Sequence, residues 1–408
     1  MEEELIYDWN LKDAHSNLGR WPIVLFDETL RDGVQSPSVA DPDLDQKFEL
    51  VRLMAGMGIG AIDLGLPGAG PRAKEHVLEL VRMIRDEKLP IIPCTAARTL
   101  VQDIAPIADI QQTLGFPMEV YAFIGSSPVR QYTEGWTVES IAKTSRKAIE
   151  FAVGEGLVVC YVTEDTTRSR PDQLRVLFDN AIDAGASRLV LCDTCGHATP
   201  NGVKQLVRFA RSFLEAMDSD VGLDWHGHND RGFGLANALF ALEAGVTRVH
   251  GTALGVGERV GNTPIDQLLV NLKLLGHWDH DLSGLNRFVH LASEACGVPL
   301  PYNYPVFGDD AFRTATGVHA AAIIKALDRG DEILADLVYS GVPATAFGQS
   351  QVIEIGPMSG KSNVRYWLKR RGHTNNDALE DAIFEAAKSS PTILTEAQLS
   401  EIVSNASV

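Results

Sequence analysis

Eight short apolar runs recur along the first two-thirds of the chain, and each is followed by a longer segment with helical spacing. The runs cover residues 23–26, 61–64, 90–94, 119–124, 158–162, 188–192, 221–226 and 248–252. Their near-continuous apolarity suits strands of a parallel sheet covered on both faces. The spacers 44–54 and 75–84 carry apolar residues at helical intervals. Gly58, Gly156, Gly185 and Gly245 stand just before the next run, where a helix C-cap is expected. Eight strand–helix units over roughly 250 residues predict a (β/α)8 TIM barrel. An open doubly wound sheet is the structural alternative.

After about residue 276 the pattern changes. Helices are expected at 285–296, 311–326, 364–369 and 378–387, with a short strand at 351–355. The domain reading is an N-terminal arm over 1–20, a barrel over 21–280 and a small, mainly helical C-terminal subdomain over 281–408. Charge narrows the choice of partner. With 36 Lys+Arg against 54 Asp+Glu, the net charge is 36 − 54 = −18. That excess opposes phosphate backbones and anionic lipid, so no nucleic acid and no membrane surface is expected. The opening Met1-Glu2-Glu3-Glu4 lacks the basic start and apolar core of a signal peptide. No apolar run approaches the roughly 20 residues that span a bilayer. Five cysteines are too few, and odd in number, for a disulfide framework. A cytoplasmic protein with reduced thiols is expected.

In such a barrel the site is built from the segments after the strands. The first run continues into Asp27-Glu28-Thr29-Leu30-Arg31-Asp32-Gly33, and the seventh into His226-Gly227-His228-Asn229-Asp230. Residues at i and i+2 of an extended segment face the same way, so His226 and His228 can address one ion, with Asp32 as a carboxylate ligand. Two imidazoles and a carboxylate leave positions open for water or substrate, as a catalytic metal site requires. The bland alternative is a chance H-x-H whose histidines are hydrogen-bonded in a strand.

Three further motifs are weaker. Gly68-Ala69-Gly70-Pro71-Arg72-Ala73 fits G-x-G-x-x-A, but it follows the second strand and Pro71 interrupts it, so a dinucleotide site is not expected. Gly356-Pro357-Met358-Ser359-Gly360-Lys361-Ser362 has three residues between its glycines where a P-loop needs four, which still leaves Lys361 to meet an anion. Cys192-Asp193-Thr194-Cys195 ends a strand, and buried structural thiols are expected there.

The segments Asp27–Gln35, His226–Asp230 and Gly255-Val256-Gly257-Glu258-Arg259-Val260-Gly261-Asn262 together resemble the signature of the DRE-type TIM-barrel metallolyases. This superfamily includes 2-isopropylmalate, homocitrate and citramalate synthases and 3-hydroxy-3-methylglutaryl-CoA lyase. The likeness runs through all eight strands and into residues 310–362. It implies a Claisen-type condensation of acetyl-CoA, as co-substrate, with a 2-oxo acid. It also implies a divalent metal (Zn, Mg or Mn) on Asp32, His226 and His228, with Asn262 near or on it. The ion would polarise the keto group, and Arg31 would stabilise the developing alkoxide. Glu164 and Thr194 match positions that hold substrate. His319 aligns with a histidine given the role of base, reaching over from a partner subunit, and Tyr339 matches a tyrosine of the same region. A homodimer whose C-terminal subdomain contributes to the partner's site is thereby implied.

The glycine-rich loop lacks the cysteine of the lyase branch, and its Gly-Glu-Arg-x-Gly-Asn form is like that of isopropylmalate synthases. Two departures complicate the choice. Tyr121 stands where those enzymes commonly have a substrate-binding histidine on the fourth strand. Arg130 stands where they have another histidine, and a guanidinium there suits the distal carboxylate of 2-oxoglutarate. Arg313-Thr314-Ala315 also replaces the usual His-Glu pair before Gly317. No separate regulatory domain follows, so leucine allostery through one is not expected. The favoured expectation is a 2-isopropylmalate synthase. A homocitrate or citramalate-type synthase is the alternative, and a lyase or an inactive binding scaffold is less favoured.

Overall fold

The computed structural model describes residues 5–11, 17–373 and 376–406, so part of the expected N-terminal arm (1–4 and 12–16) lies outside the described residues. The chain divides into two compact units, Met1–Val298 and Pro299–Val408, each described here by itself.

In the first unit eight parallel strands close in sequential order: β1 (Val24–Asp27), β2 (Ala61–Asp63), β3 (Ile92–Arg98), β4 (Glu119–Gly125), β5 (Val158–Glu164), β6 (Arg188–Asp193), β7 (Gly222–Gly227) and β8 (Arg248–Gly251). The last strand pairs with the first, Asp27 opposite Gly251, which makes the sheet a barrel rather than an open sheet. Each strand falls within or beside one of the eight apolar runs. Helices connect them, among them Leu44–Gly56 and Pro71–Asp86. The first opens on a reciprocal Asp43–Gln46 capping box, which satisfies two orphan N–H groups. Gly245 ends the helix Gly234–Ala244 at φ +114°, a conformation that strains any residue with a Cβ.

The helix Leu285–Cys296 was expected in the C-terminal subdomain but falls in the first unit. Its face of Leu285, Phe288, Val289 and Ala292 is buried, and Arg287 pairs with Glu49 of the helix Leu44–Gly56. Burying that apolar stripe outweighs proximity along the chain.

The barrel interior is apolar in its middle, where Phe26, Ala61, Cys94, Ala96, Tyr121, Cys160, Val190 and Cys192 meet. Its lower end is charged. Glu119, Arg188 and Arg248 are the first residues of β4, β6 and β8. Arg248 Nη1 donates to Glu119 Oε2 at 2.5 Å, and Arg188 Nε to Asp224 Oδ1 at 2.5 Å. A buried charge needs such a partner.

Asp27, the last residue of β1, is less well matched. Its Oδ1 accepts from the Thr29 N–H at 2.8 Å, but its buried Oδ2 has no hydrogen-bond partner. Burial pushes its carboxyl up to about 7. A folded-state value above the unfolded one means stability that is present at acid pH and lost as pH rises through 7. Asp27→Asn removes that cost, and its new amide donor returns part of it. The net gain expected at pH 8 is about 2 kcal/mol, shrinking toward zero at pH 4. Thermal melts of both proteins across that range check the trend.

In the second unit a short parallel pair, β9 (Arg313–Thr314) and β10 (Val352–Ile353), accompanies five helices: Gly317–Asp328, Glu332–Leu337, Lys361–Arg370, Asp377–Ser389 and Glu396–Ala406. The helix expected from residue 311 starts only at Gly317, because Arg313 and Thr314 pair with β10. One core gathers Ala320, Ile323, Ala326, Ala335 and Ile353, another Val364, Trp367, Leu368, Leu379 and Ile383. Lys361 meets carboxylates of the chain itself, Asp381 at 2.6 Å and Glu380 at 3.8 Å. Among the described residues, no helix is long and apolar enough to cross a membrane.

Candidate active site

Asp32 and the two histidines arrive from opposite ends of the sequence at the C-terminal mouth of the barrel. Asp32 sits in the turn after β1, which is anchored where the Glu28 N–H donates to the Gly251 carbonyl at 2.8 Å. His226 lies within β7, and His228 continues it, bridged antiparallel to Asn262. The loop that carries Asn262 leaves no room for a side chain at its glycines. A Cβ on Gly261, at φ +93°, would lie 1.8 Å from the Gly255 carbonyl oxygen, and one on Gly257 would lie 2.2 Å from the Asn262 amide nitrogen.

The Nε2 atoms of His226 and His228 are 3.2 Å apart. Asp32 Oδ2 stands 3.5 Å from His228 Nε2 and 4.0 Å from His226 Nε2. Asn262 donates its amide to the same Asp32 oxygen at 2.7 Å, and its Oδ1 is a buried oxygen without a hydrogen-bond partner. A divalent cation fits this arrangement: two imidazole nitrogens, a carboxylate and a spare amide oxygen converge in a buried spot. Electrostatics favours the ligand forms. Burial and the neighbouring His226 push His228 down to about 4, so it is neutral at neutral pH. Burial alone would raise Asp32, but the Arg31 guanidinium and the two imidazoles outweigh it and hold the carboxylate ionised.

A layer of charge lies beneath. His226 Nδ1 is 2.6 Å from Glu28 Oε2, which assigns the ring proton to Nδ1 and leaves the Nε2 lone pair facing Asp32 and His228. Glu28 also pairs with Arg31, and its Oε1 lies 3.2 Å from His250 Nδ1. His250 Nε2 is 3.3 Å from Asp224 Oδ2. Burial would lower His250, but the carboxylates of Glu28 and Asp224 on either side raise it. Arg31 is clamped by Asp63 at 2.9 Å, Asp32 at 3.1 Å and Glu28. Three of its five N–H donors are thus engaged, and the rest remain for a ligand.

Glu28, Arg31, Asp32, His226, His228 and His250 line a cavity of about 220 Å³ whose other walls include Leu66, Ala96, Tyr121, Phe123, Val162, Val190 and Cys192. Glu164 and Thr194 also line it. Burial raises the Glu164 carboxyl, and the Thr194 hydroxyl accepts from the Asp165 N–H at 2.8 Å. Tyr121 lines the cavity, and its hydroxyl turns to the floor, donating to Asp224 Oδ2 at 3.0 Å and accepting from Arg248 at 2.6 Å. Phe123, two residues on and nearer the mouth, takes the same face of β4. Arg130 stands outside the cavity lining, paired with Glu134 at 3.0 Å and 3.9 Å from Glu164. His319 and Tyr339 lie in the second unit, both exposed, their rings stacked 4.0 Å apart. Sequence reasoning missed Glu28, Asp63, Asp224 and His250. For Asp63, Asp224 and His250 the available signal was a charged or ring-nitrogen residue inside an otherwise apolar strand run, which cannot be buried there without a partner.

The HMGL-like family profile matches residues 22–292. The chain is 30% identical over 373 residues to a homocitrate synthase of Saccharolobus islandicus, covering 90% of this chain and 76% of that protein. It is also 30% identical over 367 residues to a probable 2-isopropylmalate synthase of Methanopyrus kandleri, covering 89% and 69%. A crystal structure of hydroxymethylglutaryl-CoA lyase from Pseudomonas aeruginosa shares the fold, with a TM-score of 0.56 and 19% identity over 67% of this chain and 93% of that one. Motifs, closed barrel and matched length converge: the chain is an enzyme that belongs to the HMGL-like family, the DRE-type TIM-barrel metallolyases.

Proposed function

We propose that the chain is a condensing synthase that joins the acetyl group of acetyl-CoA to a 2-oxo acid and hydrolyses the thioester, with 3-methyl-2-oxobutanoate as the acceptor and 2-isopropylmalate and CoA as products. The observation that carries the choice of acceptor is the apolar end of the cavity. The cavity lined by Asp32, His226 and His228 is also walled by Ala96, Phe123, Val162 and Val190, which suit a branched alkyl group. The only guanidinium in that lining, Arg31, is committed to three carboxylates.

Asp32, His226 and His228 would hold the divalent cation, Zn, Mg or Mn, with Asn262 Oδ1 beside it. When bound, the cation supplies Lewis-acid polarisation of the keto group. Arg31 donates its remaining N–H groups to the oxygen that becomes an alkoxide. Glu164, whose carboxyl burial raises, and Thr194 position the acid against the opposite wall. The base that takes a proton from the acetyl methyl is His319, with Tyr339 stacked on it. The same proposal includes a homodimer, through which His319 serves the partner's barrel.

A second reading, homocitrate synthase, is favoured by Arg130. A small movement away from Glu134 would free a guanidinium at the cavity's edge for a distal carboxylate. A thiol-release assay with acetyl-CoA and a panel of 2-oxo acids separates the two. A kcat/KM for 3-methyl-2-oxobutanoate at least about tenfold above that for 2-oxoglutarate is expected. Release with 2-oxoglutarate alone would establish the second reading, and no release with any 2-oxo acid would reject both.

A further inference from the structure

His250, on β8, is 1% exposed and takes no part in the proposed chemistry. Its ring packs against Phe26, its neighbour across β1 and β8, with centroids 4.3 Å apart, and edge-on to Tyr121 at 5.5 Å. An apolar side chain would fill that space without the cost of burying two ring nitrogens.

The nitrogens face two carboxylates. Nε2 is hydrogen-bonded to Asp224 Oδ2 at 3.3 Å. Nδ1, with no hydrogen-bond partner among the described residues, lies at ion-pair distance, 3.2 Å, from Glu28 Oε1. Asp224 is itself held firmly, by Arg188 at 2.5 Å and the Tyr121 hydroxyl at 3.0 Å. Glu28 has the more delicate task, because its Oε2 faces His226 Nδ1 at 2.6 Å. A carboxylate turns readily about its last torsion, so what stands against Oε1 decides whether Oε2 stays on His226. Two groups stand there. Arg31 is one, and its guanidinium is shared with Asp32 and Asp63. His250 is the other, fixed by its packing and by Asp224.

We propose that His250 is a positioning residue. It pins Glu28 through its second oxygen, so that Glu28 keeps the His226 proton on Nδ1 and leaves the Nε2 lone pair for the cation. This rests on the metal reading of Asp32, His226 and His228, and not on the choice of 2-oxo acid.

Three substitutions separate that role from filling space. His250→Phe keeps a ring against Phe26 and Tyr121 and deletes both nitrogens. His250→Asn returns a donor two bonds from Cβ, where Nδ1 stands. His250→Gln returns one three bonds out, where Nε2 stands. The dissociation constant for Zn2+, read by competition with a chromophoric chelator, is expected to rise about ten- to a hundredfold in His250→Phe and His250→Gln, and less than about threefold in His250→Asn. A nitrogen-15 spectrum of histidine-labelled, metal-free protein gives the second readout. The His226 signals, identified by their loss in His226→Ala, are expected to show the Nδ1–H form in the parent and a mixture of tautomers in His250→Phe. Equal Zn2+ affinity in all three variants overturns the proposal, and so does loss in His250→Asn with retention in His250→Gln. A lower melting temperature with affinity and tautomer unmoved marks a packing role and overturns it too. Zn2+ binding that survives His226→Ala removes the metal reading instead, and the metal-free spectrum still decides whether His250 governs the tautomer.

Discussion

His226→Ala is expected to purify without its divalent metal and to lose about a thousandfold in kcat/KM for thiol release. The imidazole supplies one of three convergent donors, and the carbonyl polarisation it supports is worth several kcal/mol of transition-state stabilisation. Removal also leaves Glu28 Oε2 without its 2.6 Å partner in a fully buried position, at a stability cost of about 2 kcal/mol. Elemental analysis of the purified variant, beside its activity and a denaturant melt, separates the effects. A variant that is folded, fully metallated and active would remove His226 from the site.

Arg31→Ala is expected to behave differently: kcat lower by about a hundred- to a thousandfold, with metal retained. In the proposed mechanism the guanidinium contributes charge where an oxyanion develops and is no part of the donor set. Deleting it leaves Glu28, Asp32 and Asp63 facing one another without their common cation. That raises the local negative potential and strengthens cation binding rather than weakening it. Metal content at or above the parent value with a collapsed kcat is the expected pair of results. Near-normal turnover would end the role given to Arg31. Arg31→Lys is expected to recover little, because a single ammonium cannot bridge three carboxylates.

The barrel was legible because its signal is repetitive: every strand falls within or beside a run that burial on both faces forces to be apolar. The convergence of Asp32, His226 and His228 was legible because the two histidines keep a two-residue period and Asp32 follows a strand at the same end of the barrel. Other features depend on registers that no local pattern encodes. Tyr121 lines the cavity as its strand position suggested, but the tie of its hydroxyl to Asp224 and Arg248 from β7 and β8 was not readable from that position. Glu28 lay inside the motif itself, yet its bond to His226 spans 198 residues. The helix Leu285–Cys296 was legible as a helix but not in its allegiance, which its buried face decides.

The charged ladder inside the barrel has a practical meaning for protein engineering. From Arg188 through Asp224, His250 and Glu28 to His226, neighbouring side chains approach within 2.5–3.3 Å. Thermostabilising campaigns treat the bottom of such scaffolds as safe ground, remote from chemistry. Here a leucine swapped in for Arg188 would unbalance Asp224 and pass the disturbance upward, rung by rung, to the His226 imidazole of the proposed site. Any consensus or computational redesign of this scaffold must carry the ladder over whole, and libraries that scramble the floor are expected to sort by catalysis as well as by melting point.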